Sequence, residues 1–166
     1  MRQVLCDDNA FAQLIGEGSL YDYELGDVYI VAPASGTSHG AAQAKLIVAL
    51  AGALPDVLVT GPTNLGVLGE PGRRWYVVPD VVVLEADAEQ SVSTLWAVIA
   101  VEVQSPTEDR SRKLAAYRDV AARTGLVVGE VWYVSDGVIS VHRSAAEEPG
   151  ETSFPAAIDA CRLALA

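Results

Sequence analysis

Two valine-rich runs, each interrupted or ended by a single carboxylate, constrain the fold of this chain more than any other feature. Asp80 follows Pro79 and interrupts the apolar run over residues 77–84, and Glu102 ends the run over residues 98–101. Short runs rich in β-branched side chains are typical of buried strands. A lone buried carboxylate is costly unless it is paired or binds a metal. Two carboxylates on neighbouring strands therefore predict a divalent-cation site.

The residues after Glu102 extend this predicted site. Glu102 and Gln104 are two apart on a strand, so their side chains face the same side. Lys113 and Tyr117 are four apart on the predicted next helix and share a face, from which Lys113 can reach back to the carboxylates. Lysine is rare in this chain, at two of the 11 basic residues. We therefore predict Asp80, Glu102, Gln104 and Lys113 as catalytic residues, with Asp80 and Glu102 as the metal ligands.

Each of these residues also has a structural interpretation. Asp80 is then a surface aspartate at a strand kink, and Lys113 is an ordinary helix-face lysine. Glu102 and Gln104 are then the solvent-facing end of a sheet. These alternatives stay open at the level of the sequence.

Three further polar residues are weaker candidates. His39 lies at the start of a predicted helix, where a structural hydrogen bond is the simpler interpretation. Glu24 lies between Tyr23 and Leu25 in a predicted strand. Its side chain either faces the predicted catalytic site or has no part in it. His142 alternates with apolar residues in the last predicted strand, and we expect it at the surface.

The spacing of apolar and turn residues predicts an α+β fold, with helices packed on a mixed sheet. A capping-box pattern over residues 105–108 marks the clearest helix start, and Gly125 marks the end of that helix. The C-terminal stretch over residues 156–165 is compatible with either a helix or a strand. The predicted helices cover residues 9–17, 38–54 and 106–123, and the predicted strands cover 21–25, 28–31, 57–60, 75–84, 95–103, 127–134 and 138–142.

Length and composition narrow the class of protein. The 166 residues suit one domain spanning residues 1–166. No apolar run reaches the ~18 residues that a membrane span needs, and the acidic N-terminus has no signal-peptide pattern, so we expect a cytoplasmic protein. Cys6 and Cys161 are then expected as free thiols. The formal charge of −11 argues against a broad, non-specific grip on nucleic acid.

The order of these motifs resembles the Uma family of putative restriction endonucleases. The resemblance is carried by Pro79-Asp80, by Glu102 to Pro106, by Lys113 with Tyr117, and by the segment 131–134. It implies a restriction-endonuclease-like fold: a mixed β-sheet core flanked by helices, with an N-terminal helix and hairpin. It also implies a PD-(D/E)XK site in which Asp80 and Glu102 bind Mg²⁺, for which Mn²⁺ can substitute.

The chain departs from that pattern at one position. Gln104 stands where the pattern has its lysine, two residues after the glutamate. The resemblance implies that Lys113, on the following helix, supplies the positive charge instead. An amide can position a water molecule but brings no positive charge to a pentavalent phosphate.

Two function hypotheses follow from the sequence. The first is a metal-dependent nuclease that hydrolyses DNA. A homodimer is expected under this and the next hypothesis, because cutting both strands needs two sites and the sheet needs its edges covered. The second is a catalytically inactive interaction module on the same fold, with the carboxylates kept as a polar network. Metal binding and DNA cleavage that are lost on Asp80→Ala would separate them.

Overall fold

The computed structural model describes the backbone of residues 19–25, 28–33, 37–67, 75–86, 93–104 and 110–166, and the side chains from residue 37 onward in these ranges except Ser93. The predicted helix over residues 9–17 and the capping box over 105–108 lie outside the described residues. The described part contains the helices α1 (Thr37–Ala53), α2 (Arg110–Thr124) and α3 (Pro155–Leu165). Its strands are β1 (Ser19–Leu25), β2 (Val28–Pro33), β3 (Val57–Thr60), β4 (Asn64–Val67), β5 (Trp75–Val77), β6 (Val81–Glu85), β7 (Ser93–Thr94), β8 (Trp96–Val103), β9 (Val127–Ser135) and β10 (Val138–Arg143).

The strands form two sheets. The central sheet has the order β10-β9-β8-β6-β3, and the N-terminal sheet has the order β2-β1-β5-β4-β7. In the central sheet β8 and β9 are parallel and the other pairs are antiparallel. The fold is therefore α+β with a mixed sheet, as the sequence predicts, and it includes the β1–β2 hairpin.

Both faces of the central sheet are covered, because its strands alternate between two apolar layers. Ile99 and Val101 face the layer that contains Leu46 of α1 and Ile158 of α3. Ala100 of β8 and Val82 of β6 face the opposite layer, which contains α2 and parts of β4 and β5. A parallel pair such as β8 and β9 needs a crossover connection, and α2 provides it. The first residues after β8 therefore lead into the helix that carries Lys113.

The predicted strand over residues 75–84 is in fact two strands. β5 pairs with β1 and β4 in the N-terminal sheet, whereas β6 pairs with β3 and β8 in the central sheet. The break covers residues 78–80 and contains Pro79, which has no N–H to donate to a sheet ladder. Asp80 therefore lies where the chain passes from one sheet to the other.

In two other segments the structure shows elements that the sequence did not predict or left undecided. β4 lies between the predicted strands 57–60 and 75–84, where the sequence predicts no strand, and its Gly66 has φ of 137°, a conformation that favours glycine. The undecided C-terminal stretch is the helix α3, with Pro155 in its first turn. None of the helices in the described part of the chain is both long enough and apolar enough to cross a membrane.

Candidate active site

Asp80 is held by contacts from two elements. Its backbone N–H donates to the carbonyl of Val101 over 3.0 Å, at the end of the β6–β8 ladder where Val101 also pairs with Val81. Its Oδ2 accepts a hydrogen bond from the backbone N–H of Val103 at 2.7 Å. Its Oδ1 lies 2.7 Å from Nε2 of His39, in the first turn of α1. The carboxylate is thus oriented by both the sheet and a helix.

Glu102 is the second carboxylate of the site, and α2 covers it. Its Oε1 accepts a hydrogen bond of 2.5 Å from the Tyr117 hydroxyl. Its Oε2 lies 3.4 Å from Nζ of Lys113. Lys113 and Tyr117 are one helical turn apart, so the helical spacing alone brings both to Glu102. All three residues are 2% exposed.

Two hydrogen bonds of Asp80 bring it close to Glu102. The paired register of β6 and β8 ends at Val81 opposite Val101, and the Asp80 N–H also donates to the Val101 carbonyl, so two residues face one as in a β-bulge. Because Asp80 Oδ2 accepts from the Val103 N–H, Asp80 bonds to the residues on both sides of Glu102. Gln104 is two residues after Glu102, and its side chain is half-buried. Its backbone N–H donates to the Val134 carbonyl at 2.9 Å. The four predicted catalytic residues thus belong to one end of β6, β8 and α2.

Burial changes the acid–base properties of the two α2 side chains. Desolvation lowers the pKa of Lys113 from 10.5 to about 7, because the ammonium is costly in the apolar layer, while the nearby Glu102 carboxylate favours the charged form. Desolvation and the Glu102 charge raise the pKa of Tyr117 well above its usual value. Tyr117 is therefore a neutral hydrogen-bond donor, whereas Lys113 exchanges its proton near neutral pH.

The comparisons with known proteins concern the family and the fold of the chain. The model of the Uma2 family, described as putative restriction endonuclease, matches residues 8–156. The chain belongs to the Uma2 family. The chain is also similar to a solved structure of a putative nuclease belonging to DUF820 from Anabaena variabilis ATCC 29413, with a TM-score of 0.62 and 14% identity over 87% of this chain and 91% of that chain. At this identity, the similarity supports the fold alone. No curated protein matches the chain.

The oxygen donors of this Uma2 family member fit a divalent cation. Carboxylate oxygens are the ligand type that hard divalent cations take in proteins, and the Asp80 side chain, 22% exposed, is accessible to solvent. Mg²⁺ prefers carboxylate oxygens, usually keeps several waters and needs only one or two protein carboxylates. Within the ranges that the structure describes, no cluster of three or more His, Cys, Asp or Glu side chains stands ready to hold a metal ion. Asp80 and Glu102 are the residues that would hold the cation.

The structure describes the side chains of two of the three weaker candidates, His39 and His142. His39 contacts Asp80, so its hydrogen bond is made within the predicted site. The prediction that His142 lies at the surface is wrong, because it is fully buried. Its Nδ1 is 2.8 Å from the Ala146 carbonyl, and its ring packs edge-on against Tyr133. The side chain of Glu24 lies outside the described residues.

Sequence reasoning missed one buried carboxylate. Glu130 of β9 is 2% exposed and accepts hydrogen bonds from the Trp132 indole N–H at 2.7 Å and the Thr152 hydroxyl at 2.8 Å. It also accepts one from the backbone N–H of Ser153 at 2.5 Å. The available signal was the alternation in the segment 127–134, which puts Glu130 on the same face as Trp132. Glu130 ties the segment before α3 to the sheet.

Proposed function

We propose that this protein is a divalent-metal-dependent nuclease that hydrolyses phosphodiester bonds in DNA. The observation that carries the proposal is the convergence of two carboxylates and one lysine. Asp80 bonds to the Val101 carbonyl and the Val103 N–H, on either side of Glu102, and Lys113 approaches Glu102 to 3.4 Å. Membership of the Uma2 family supports the same reaction class.

The residues have distinct roles in the proposed reaction. Asp80 and Glu102 hold Mg²⁺ or Mn²⁺, which when bound polarises a phosphoryl oxygen and lowers the pKa of a bound water. The Gln104 amide, which both donates and accepts hydrogen bonds, orients the attacking water. The Lys113 ammonium offsets the negative charge that accumulates on the phosphate. Tyr117 keeps the Glu102 carboxylate in place through its hydroxyl.

The charge distribution supports an approach of DNA along α2. The chain has a formal charge of −11, which opposes association with a polyanion. Within α2, however, five basic side chains stand against the single acidic residue Asp119. Arg110 and Arg112 are exposed in the first turn of that helix, next to Lys113. The local positive charge thus lies beside the carboxylates, where the phosphate must enter.

The proposal includes a homodimer. Hydrolysis of both strands of a duplex needs two sites, and a second copy of the chain provides the second site with the opposite orientation. Size measurements in solution, with and without duplex DNA, test this part. A monomer that cuts both strands in one binding event would contradict it.

Cleavage assays with isosteric variants test the proposed function. Wild-type protein is incubated with supercoiled, linear and single-stranded DNA in Mg²⁺, Mn²⁺ or EDTA. The expected result is cleavage that needs the metal and is lost in Asp80→Asn and Glu102→Gln, since each replacement removes one charged ligand but keeps the shape of the side chain. Glu85→Gln, an exposed carboxylate at the other end of β6, is the matched control and keeps wild-type activity.

Either of two results would contradict the nuclease proposal. One is the absence of metal-dependent cleavage of every DNA form by the wild type. The other is cleavage that persists at the wild-type rate in Asp80→Asn and Glu102→Gln, which would point to a contaminating nuclease.

A catalytically inactive interaction module is the second candidate. The observation that favours it is the buried contact between Lys113 and Glu102, because an ammonium group beside a carboxylate can replace a metal cation. In that case the Lys113 and Glu102 pair stabilises the fold and Asp80→Asn has no effect on function. Metal-dependent cleavage by the wild type would exclude this candidate.

A further inference from the structure

The sheet fixes only one oxygen of the Asp80 carboxylate. Residues 78–80 form the break between β5 and β6, so the pleat of a strand does not set the direction of this side chain. The Val103 backbone N–H of β8 donates to Oδ2 at 2.7 Å. Further contacts must hold Oδ1 and the peptide group of Asp80 in place.

One turn of α1 supplies these contacts. His39 and Gln43 are four residues apart and therefore share a helix face. Nε2 of His39 is 2.7 Å from Oδ1 of Asp80 and donates its hydrogen, since an ionised carboxylate only accepts. The Gln43 side chain donates to the backbone carbonyl of Asp80 at 2.5 Å. The same helical turn thus contacts both the carboxylate and the peptide group of Asp80.

The helix that makes these contacts is itself anchored. Leu46 and Leu50 lie farther along α1 and are fully buried in the apolar layer against the central sheet. The contacts made by His39 and Gln43 therefore have a rigid support. The His39 and Asp80 side chains remain 19% and 22% exposed, so Oδ1 is held in place while solvent and ions still reach the carboxylate.

We propose that His39 and Gln43 are positioning residues that fix the orientation of Asp80 for cation binding. This inference rests on the proposed function, because it presumes a cation at Asp80. Hydrogen bonds to a metal-ligating carboxylate determine how well it is oriented, and their removal typically weakens metal affinity by about 10–100-fold. The first turn of α1 is thus part of the site although it contributes no carboxylate.

Calorimetric titration with Mn²⁺, without DNA, tests the inference on the full chain. We expect His39→Ala to weaken Mn²⁺ binding by about tenfold or more. His39→Gln keeps an N–H donor at the end of a side chain of similar reach and regains most of the wild-type affinity. Gln43→Leu, which loses only the bond to the backbone carbonyl, weakens binding in the same direction.

The control is Lys45→Ala, an exposed cationic residue on the same helix. It loses a positive charge without touching Asp80 and keeps the wild-type affinity. Melting curves of the metal-free proteins accompany the titrations. A merely structural His39 would lower the melting temperature of His39→Ala while leaving its Mn²⁺ affinity unchanged, which would overturn the inference.

The outcomes also separate the inference from the proposed function. Wild-type affinity in both His39→Ala and Gln43→Leu, together with lost binding in Asp80→Ala, would overturn the inference and support the cation site. Absence of Mn²⁺ binding by the wild type would overturn both. Weakened binding in His39→Ala that His39→Gln restores supports both.

Discussion

Lys113 illustrates how one residue can link stability and chemistry in this site. Its ammonium lies in an apolar layer, 3.4 Å from the Glu102 carboxylate, which offsets part of the cost of burying a charge. Burial lowers the pKa of Lys113 to about 7. The charge on this side chain is therefore sensitive to pH in the range where the proposed reaction would operate.

This shift predicts a pH-dependent stability. The pKa of Lys113 is about 7 in the folded protein and 10.5 in the unfolded chain, so between these values the unfolded chain binds more protons. The free energy of unfolding therefore rises with pH across this window, with a slope of up to about 1.4 kcal/mol per pH unit. Urea unfolding of the wild type between these pH values measures it.

The reference for this measurement is the double variant Lys113→Met/Glu102→Gln. It has no titrating group at the pair and keeps similar side-chain volumes, so its unfolding free energy should lack the rise. Parallel pH curves for the wild type and the double variant would show that Lys113 keeps an ordinary pKa.

Tyr117→Phe tests the hydrogen bond to Glu102. The substitution removes one hydroxyl and leaves the buried Oε1 without this donor. We expect a loss of about 1–3 kcal/mol in the free energy of unfolding, measured in urea. In a Glu102→Gln background the loss should be smaller, because the acceptor there carries no charge. An equal loss in both backgrounds would mean that Tyr117 acts through packing alone.

At the residue scale, the predictable contacts were the local ones. The four-residue spacing of Lys113 and Tyr117 predicts their shared helix face, and both do contact Glu102. The burial of His142 and Glu130 was not predicted, because it depends on contacts that are not local in the sequence. Period-two alternation shows that two faces exist, but it cannot show that both are covered. Their burial depends on distant segments, such as residues 152–153, that fold over the sheet.

At the scale of secondary-structure elements, the Glu130 side chain holds the segment before α3 against the central sheet. Its carboxylate receives the Trp132 indole N–H, the Thr152 hydroxyl and the Ser153 backbone N–H. Glu130→Ala leaves the buried Trp132 indole N–H without this acceptor and releases the half-buried Thr152 and the exposed Ser153, so we expect a loss of about 1–3 kcal/mol in the free energy of unfolding. Urea unfolding and hydrogen exchange at residues 152–154 measure the effect.

The control for this prediction is Glu151→Ala, an exposed acidic residue in the same connection. It should leave both stability and exchange close to wild type. Faster exchange at residues 152–154 in Glu151→Ala, or none in Glu130→Ala, would contradict the anchoring role of Glu130.

The elements with strong local signals were predictable, and those set by tertiary contacts were not. The predicted strand 57–60 has the observed bounds, and the predicted helix 38–54 differs from α1 by one residue at each end. β4 was not predicted, because Gly66 weakens its local signal and its pairing with β5 is what makes it a strand. The separation of β5 from β6 had a visible cause in Pro79, but the change of sheet is a tertiary event.

For the molecule as a whole, the negative charge favours cation binding at the site. With 22 acidic and 11 basic residues, the field of the protein attracts divalent cations and repels DNA. In the proposed reaction, a cation at Asp80 and Glu102 would lower both effects, because it would neutralise the charge of these carboxylates. We therefore expect the metal to strengthen DNA association as well as to enable cleavage.

Thermal unfolding with Mn²⁺ tests the expected coupling of metal and fold. A cation that binds only the folded protein adds about 2.7 kcal/mol to the free energy of unfolding when its concentration is 100 times its Kd. For a protein of this size, each kcal/mol corresponds to a Tm increase of roughly 2–4 °C. The wild type and Glu85→Gln should show this increase, whereas Asp80→Ala should not. An equal increase in Asp80→Ala would indicate binding elsewhere on the acidic surface.

The most direct test of the proposed metal site is a crystal structure with Mn²⁺, located by its anomalous scattering, for the wild type and for Asp80→Ala. We expect one ion bound by the carboxylates of Asp80 and Glu102 in the wild type, and no ion there in the variant. A site without Mn²⁺ at millimolar concentration, with the Lys113 ammonium still beside Glu102, would contradict the metal-dependent nuclease and favour the inactive module.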